Sequence, residues 1–261
     1  MTVETPITAL WPAPSSMPLD DSALTACYGR TDLNSAEAPR TGGPDRSRLR
    51  VNFVTSVDGA VTVDGYSAGL SGEPDKRVFR LLRMLCDALV VAGGTMRHER
   101  YRPLRLDERR RAWRREHGLP ECPTLVVVSG SANLDPTHPA LADAPVRPIV
   151  LTRTAATAPP GLADVADLVE CGDDRVDLAT GLAELRRRGL DQLLCEGGPH
   201  LFGALTAADL VDEVCLTVAP LLAGAGPGRI TAGEPSPVRH LPLRHVLAAA
   251  DGGLLLRYAR D

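Results

Sequence analysis

The chain has 261 residues, of which 44% are hydrophobic and 24% are charged, and its formal net charge at pH 7 is −4. These values are ordinary for a globular domain with a substantial core, and so small a net charge gives no global field that would attract nucleic acid or an anionic membrane. No apolar stretch reaches the roughly 18 residues that span a bilayer, and the amino terminus lacks the basic start and apolar core of a secretory signal. We therefore expect neither nucleic acid nor a membrane as a partner.

Residues 1–48 are predicted to form an irregular amino-terminal arm and linker. Proline and serine crowd residues 12–18, and residues 36–47 (AEAPRTGGPDRS) have the polar, Gly- and Pro-containing composition of a linker. Three side chains of the arm are expected to pack on the body of the protein: Trp11, Leu24 and Tyr28. The main domain is predicted to begin near Leu49.

From Leu49 onward, strands and helices alternate. Strands are predicted at 51–57, 88–92, 125–128, 149–151, 168–171, 192–195 and 214–220, and helices at 75–85, 178–188 and 201–210. Residues 246–249 and 254–258 are expected to form a closing hairpin. This order predicts an α/β domain over residues 49–261, with a mostly parallel central sheet, flanking helices and an antiparallel C-terminal hairpin. Ligands of such sheets bind at the carboxyl ends of the strands.

The stretch 191–226 is the most informative part of the chain. A short apolar strand ends at Glu196-Gly197-Gly198-Pro199, and an apolar helix follows at once. Adjacent glycines at such a junction let the backbone approach a ligand and direct free N–H groups at an anion. The Glu196 carboxylate, placed just before them, can accept hydrogen bonds from a polar substrate. A plain tight strand-to-helix connection is the alternative.

Cysteine and histidine usage argues against disulfides and metal sites. The six cysteines contain no Cys-x-x-Cys pair and lie mostly in apolar runs, which is typical of buried free thiols in a reducing cytoplasm. The six histidines show no metal-ligand spacing such as His-Glu-x-x-His. We expect a cytoplasmic protein without a bound metal. The arginine-rich run 109–115 is interspersed with acidic residues and is expected to be an exposed helix.

Three motifs in order resemble one enzyme family. They are SVDG (56–59), RLLRMLCDALVVAGGTMR (80–97) and EGGPHLFGAL (196–205). Together they resemble the C-terminal reductase domain of the riboflavin-biosynthesis pyrimidine reductases, from about Leu49 to the C-terminus. The resemblance implies a dihydrofolate-reductase-like fold and NADPH-dependent reduction of a phosphoribosylamino-pyrimidine to its ribitylamino form. The zinc-ligand pattern of the deaminase domain in bifunctional members is missing, so the chain resembles a stand-alone reductase.

The resemblance leaves the substrate open. Bacterial bifunctional members usually carry lysine where this chain has Asn52, and asparagine there is more similar to stand-alone reductases, which act before deamination. His200 also replaces a usual threonine. The deaminated and the diamino pyrimidine both remain candidates. A reductase of a dihydropterin, dihydrofolate or specialised-metabolite pyrimidine is one alternative, and a non-catalytic NADPH-binding protein is another.

The resemblance also implies a cofactor side of the site. It places NADPH against Thr95 and Glu99 in GGTMRHE, against Ser129, and along the turn and helix after Glu196. The positions in that turn and helix are Gly197, Gly198, Pro199, His200, Leu201 and Gly203. Arg97 and Arg153 are our physical candidates for the 2′-phosphate, because a guanidinium fork suits phosphate oxygens.

The substrate side follows from the same resemblance. The residues matched to the pyrimidine or its phosphoribosyl arm are Asn52, Ser67, Arg83, Arg105 and Glu196. Glu196 and Asp58 are the predicted catalytic residues, with Asp58 as an orienting or proton-relaying group. Asp58-Gly59 is also a common turn dipeptide, Arg83 could be an ordinary helix-surface residue, and Arg105 could lie on the surface.

A homodimer is expected. The family's reductase domains pair through their C-terminal β segment, and the 246–249 and 254–258 strands would otherwise leave an apolar sheet edge exposed. Pairing about a two-fold axis would bury Leu254, Leu256 and Tyr258.

Overall fold

A computed structural model describes residues 5–30, 47–226 and 228–260 of the chain. Apart from Ser47, the predicted linker 36–47 lies outside the described residues. Within them, ten strands form one sheet: β1 (Ile7–Trp11), β2 (Arg48–Ser56), β3 (Ala88–Ala92), β4 (Thr124–Val128), β5 (Ile149–Thr152), β6 (Asp167–Glu170), β7 (Gln192–Cys195), β8 (Glu213–Ala219), β9 (Leu243–Ala249) and β10 (Leu254–Ala259). Their order across the sheet is β1-β9-β10-β8-β2-β7-β3-β4-β5-β6.

The part of the sheet from β8 to β6 is parallel and is covered on both faces. Strand β2 pairs in parallel with both β7 and β8, and β7, β3, β4, β5 and β6 continue the parallel pairing. Successive side chains of a strand enter opposite faces, so Val90 and Val91 belong to separate buried clusters. This burial explains the near-continuous apolar runs of the sequence. The predicted mostly parallel α/β fold is confirmed.

The described helices cover these two faces. They are α1 (Asp21–Cys27), α2 (Glu73–Leu85), α3 (Gly93–His98), α4 (Glu108–Glu116), α5 (Pro139–Ala142), α6 (Leu162–Val165), α7 (Leu178–Arg187) and α8 (Pro199–Ala207). Helix α2 buries Val78, Leu81, Leu82 and Leu85, the apolar face that its spacing indicates. Helix α4 is largely an exposed, ion-paired helix, although its Arg114 is buried and donates to the carbonyl oxygens of Met84 and Cys86.

The amino-terminal segment contains a strand and a helix, where the sequence was expected to form an irregular arm. Strand β1 pairs antiparallel with β9, and α1 begins after Asp20, whose side chain accepts from the Ala23 N–H. Leu24 and Tyr28 are buried as expected, whereas Trp11 is 43% exposed. A five-residue strand flanked by prolines is too short to show a clear periodicity. Its partner β9 is also distant in the chain, so the sequence did not predict it. A reductase-domain boundary near Leu49 stays a prediction.

Strand β1 also overturns the exposed-edge argument for a dimer. Strands β9 and β10 form the predicted hairpin, but β10 lies inside the sheet between β8 and β9, and β1 covers the other side of β9. What remains half-buried is a face of this antiparallel region, to which Leu254, Leu256 and Tyr258 contribute.

Three expectations concern absent features. In the residues that the structure describes, no helix is both long and apolar enough to cross a membrane. The same residues contain no cluster of side chains suited to a metal ion. All six cysteines are free thiols, and five of them are buried.

Candidate active site at the carboxyl end of the sheet

A cavity of about 650 Å³ opens where strands β2, β3 and β7 end. Helix α2, the loop between β2 and α2, and the residues after α3 complete its walls. Polar side chains from all of these segments line it: Asn52, Ser67, Asp75, Lys76, Arg83, Thr95, His98, Glu99, Arg100, Tyr101, Arg102 and Glu196. This is the edge at which ligands of parallel sheets bind.

An ion pair and a phenol hold Glu196 in this cavity. Arg83 on α2 donates from Nε to Glu196 Oε1 at 2.8 Å and from an Nη to Oε2 at 2.6 Å. The Tyr101 hydroxyl donates to Oε2 at 2.8 Å. Burial lowers the pKa of Arg83, but the Glu196 charge and hydrogen bonds outweigh it and raise that pKa. Burial, and then the Glu196 charge, raise the pKa of Tyr101 well above its usual value. Both donors therefore keep their protons toward Glu196.

The two glycines after Glu196 are required by close contacts. Gly197 has a φ of +90°, and a Cβ there would lie 2.6 Å from the Phe53 ring. A Cβ at Gly198 would lie 2.6 Å from Thr95 Oγ1. The turn therefore packs against β2 on one side and against the start of α3 on the other. The structure thus brings Thr95 and Gly198, both predicted cofactor residues, next to each other at the cavity wall.

Five other predicted cofactor residues fall into two groups. Glu99 and Pro199 line the cavity, and Glu99 Oε1 accepts from the Ser67 N–H at 3.2 Å. Ser129, Arg97 and Arg153 do not line it and lie beyond the ends of β4, β3 and β5. Arg97 donates to the Asn133 carbonyl oxygen at 3.3 Å. Arg153 donates to the carbonyl oxygens of Gly130 at 3.0 Å and Asp174 at 3.2 Å.

Helix α8 also lines a second cavity. The second cavity, of about 690 Å³, is lined by residues 172–179 and by the α8 residues Gly203 and Ala204. A Cβ at Gly203 would lie 2.0 Å from the Ala232 carbonyl oxygen, so helix packing already explains this glycine. Leu201 is buried in the core, which leaves only its backbone for a ligand, and His200 is exposed.

Two predicted residues lie away from the cavity. The Asp58 carboxylate accepts from Ser56 Oγ and from the N–H groups of Ala223 at 3.2 Å and Gly224 at 2.7 Å. These bonds, the Ser56 bond foremost, lower the pKa of Asp58 to about 2, and Asp58 joins two loops. Arg105 is exposed and donates to the Asp143 carbonyl oxygen at 2.8 Å. Of the substrate-side residues, Asn52, Ser67, Arg83 and Glu196 do meet in the cavity.

Sequence reasoning missed several cavity residues. Asp75, Phe79 and Arg83 stand four residues apart on α2 and therefore share one helix face. The Arg83 guanidinium lies 4.1 Å from the centroid of the Phe79 ring. That spacing, extended back from Arg83, is the signal that could have found Asp75. Tyr101 gave no comparable signal, because its partner Glu196 is 95 residues away.

Known proteins match the chain over most of its length. The 2,5-diamino-6-ribosylamino-4(3H)-pyrimidinone 5′-phosphate reductase of Methanothermobacter thermautotrophicus is 31% identical over 187 residues, which are 70% of this chain and 82% of the relative. The enzyme of the same name from Archaeoglobus fulgidus is 29% identical over 181 residues, 69% and 83% of the two chains. A pyrimidine reductase-like protein from Corynebacterium diphtheriae superposes with a TM-score of 0.75 at 25% identity, covering 83% of this chain and 93% of its own.

The family comparison agrees with these relatives and with the sheet topology. The model of the RibD C-terminal domain matches residues 47–255, which include every strand from β2 to β9 and the whole cavity. The chain belongs to the RibD C-terminal domain family.

Proposed function

We propose that the protein reduces a phosphoribosylamino-pyrimidine with NADPH in riboflavin biosynthesis, opening the ribose to a ribityl chain. One observation carries this proposal. The same cavity contains Glu196, held by Arg83 and Tyr101, and the contact between Gly198 and Thr95. One half offers a fixed acceptor for a heterocycle, and the other offers a backbone cradle for a cofactor. The archaeal relatives that carry the reductase name support the same reaction.

The residues present fit NADPH. Gly198 lets the turn pack against Thr95 at the cavity wall, and the turn leads directly into the nine-residue helix α8. Such a helix start favours a pyrophosphate. Ser129, Arg97 and Arg153 continue along the sheet edge and would hold the adenosine and its 2′-phosphate. When bound, NADPH supplies the hydride, and the protein's own contribution is orientation and anchoring.

The substrate would lie between Glu196 and the cationic lining. Glu196 would accept from the amino and N–H groups of the pyrimidine, while Arg83 and Tyr101 keep its carboxylate oriented. Because Arg83 donates twice to Glu196, its guanidinium is engaged and the substrate phosphate needs another cation. Lys76, Arg100 and Arg102 line the same cavity and can bind the substrate phosphate. Asn52 and Ser67 add polar contacts.

Of the two pyrimidines, we propose the diamino form as substrate. Both archaeal relatives are reductases named for that compound. Asn52 also favours the diamino form, because asparagine there is similar to stand-alone reductases, which act before deamination. NADPH oxidation should be assayed with the diamino pyrimidine, the deaminated pyrimidine and dihydrofolate in parallel. The proposal expects the highest kcat/KM with the diamino compound. Turnover of dihydrofolate alone would overturn it, and NADPH binding without oxidation by any of the three would favour a non-catalytic role.

We also propose that the enzyme is a cytoplasmic homodimer joined through a sheet face. On β8, Val214, Leu216 and Val218 alternate with buried residues and are half-buried. They pair in register with Tyr258, Leu256 and Leu254 on β10. A second copy covering this continuous apolar face would remove it from water. Neither nucleic acid nor a membrane is proposed as a partner.

A further inference from the structure

The active-site cavity contains a second buried carboxyl group, that of Asp75. Asp75 lies in the first turn of α2, is 6% exposed, and lines the cavity together with Glu196. Phe79 and Arg83 stand one and two turns further along the same helix face. The carboxyl groups of Asp75 and Glu196 thus approach one cavity from different elements, α2 and the turn after β7.

The surroundings of the two carboxyl groups differ in kind. Glu196 is paired with a guanidinium, whereas Asp75 is hydrogen-bonded by two hydroxyl groups, Ser71 on the preceding loop and Thr217 on β8. Burial is the main cause that raises the pKa of Asp75, and the Glu196 charge adds to it. Opposite environments of this sort separate an acid from a fixed carboxylate in many active sites.

In the part of the chain that the structure describes, the cations around Asp75 form their ion pairs with other residues. Lys76, its neighbour on α2, pairs with Glu73 at 3.1 Å, and its charge lowers the pKa of Asp75 less than burial raises it. Arg83, on the same helix face, is engaged by Glu196. Asp251 in the β9–β10 turn lines a small cavity with Asp75 and, as an acidic side chain, offers it no ion pair.

We propose that Asp75, as a carboxylic acid, donates the proton that accompanies hydride transfer to the ribose. This step rests on the proposed function. A C–H bond forms at C1′ with the hydride, NADPH becoming NADP⁺. The C1′–O4′ bond breaks with its electron pair on O4′, which takes the Asp75 proton, and the carboxylate regains a proton from water.

The alternative donors in the cavity fit this step less well. The Tyr101 proton is held toward Glu196, and the Glu99 carboxylate accepts a backbone N–H. His98 is exposed and bonded to the Gly65 carbonyl oxygen at 2.7 Å. Asp75 combines burial, access to the cavity and hydroxyl partners that can pass a replacement proton.

The test is Asp75→Asn, measured with NADPH and the diamino pyrimidine beside Asp164→Asn, the same chemical change at an exposed position of α6. General acid catalysis contributes about 10²- to 10⁴-fold, so kcat should fall by that factor in Asp75→Asn while NADPH affinity and the melting temperature stay close to wild type. Asp164→Asn should match wild type in all three measurements. An Asp75→Asn enzyme with kcat within about threefold of wild type would overturn the proposal, threefold being far below this range.

The pH profile separates a proton donor from a structural residue. Wild-type kcat should fall as pH rises through the Asp75 pKa, and Asp75→Asn should lack this alkaline limb. Ser71→Ala removes a hydrogen bond that lowers the pKa, so the limb should move to higher pH. A limb that stays in place in Ser71→Ala contradicts the assignment, even where Asp75→Asn does not fold. A wild-type enzyme inert toward every pyrimidine would instead overturn the proposed function, and this step with it.

Discussion

Arg83 and Glu196 form a two-point ion pair, at 2.8 and 2.6 Å, that ties helix α2 to the turn after β7. The carboxylate is almost fully buried, and Tyr101 donates to it from a third segment. Because a buried charge without partners is costly, this pair fixes the position of one carboxylate relative to the Gly198–Thr95 contact.

Glu196→Gln should reduce turnover more than cofactor binding. The amide loses the charged acceptor for the pyrimidine donors, at a cost of roughly 1.5–3 kcal/mol, so kcat/KM should fall about 10- to 100-fold. NADPH affinity, measured by fluorescence titration, should be close to wild type, as it should be in the control Glu116→Gln at the exposed end of α4. Unchanged kinetics together with weakened NADPH binding would reverse the assignment of Glu196.

NADPH should be preferred over NADH through Arg97 and Arg153. A charged contact to the 2′-phosphate is worth roughly 1.5–3 kcal/mol, or about tenfold or more in affinity. Replacing both arginines with alanine should remove the preference, whereas Arg187→Ala on the exposed side of α7 should keep it. The ratio of kcat/KM for the two cofactors measures this. Equal use of NADH by the wild-type enzyme would contradict the cofactor proposal.

Stability should decrease in acid because of His245. Burial, with a smaller part from Arg257, lowers the pKa of His245 from 6.5 to about 4, so the unfolded chain binds the proton first as pH falls. The free energy of unfolding should therefore drop by about 3 kcal/mol between the unfolded and folded pKa values.

The control variant keeps an aromatic ring at position 245 and removes the titrating imidazole. The rings of His245 and Tyr28 meet edge to face with 4.7 Å between their centroids, and His245→Phe preserves an aromatic ring there. Urea unfolding at several pH values should show a flatter acid dependence for His245→Phe than for wild type. Parallel curves for the two proteins would show that His245 does not titrate as described.

Leu256→Arg should convert the proposed dimer to a monomer. Leu256 is at the centre of the half-buried face, opposite Leu216 on β8 and Val246 on β9. A guanidinium there would have to be buried without a partner in the dimer. Light scattering at micromolar concentration reports the mass, and Leu222→Arg in an exposed loop serves as control. A wild-type monomer with full activity would rule out this interface.

The central fold was predictable because its signals are local. The apolar runs of β3 and β7 were predicted with their observed bounds, since parallel strands are buried on both faces. Strand β1 was not, because its pairing with β9 joins opposite ends of the chain. Its presence moved the expected dimer contact from a sheet edge to a sheet face.

The candidate site was predictable only where its signals are local in the sequence. The motifs and the family resemblance predicted Glu196, Gly198 and Thr95 as site residues, and the structure places all three on the wall of one cavity. Asp58 and Arg105 look equally functional in sequence, but loop contacts engage both. Only three-dimensional packing shows that Arg83 pairs with Glu196, or that Asp75 reaches the same cavity.

The most direct test of the central claim is the fate of the hydride. The enzyme would be incubated with the diamino pyrimidine and NADPH carrying deuterium at the transferable position, and the product examined by NMR and mass spectrometry. The account predicts one deuterium at C1′ of a ribityl chain. Deuterium in the pyrimidine ring, or unlabelled substrate recovered beside intact NADPH, would contradict it.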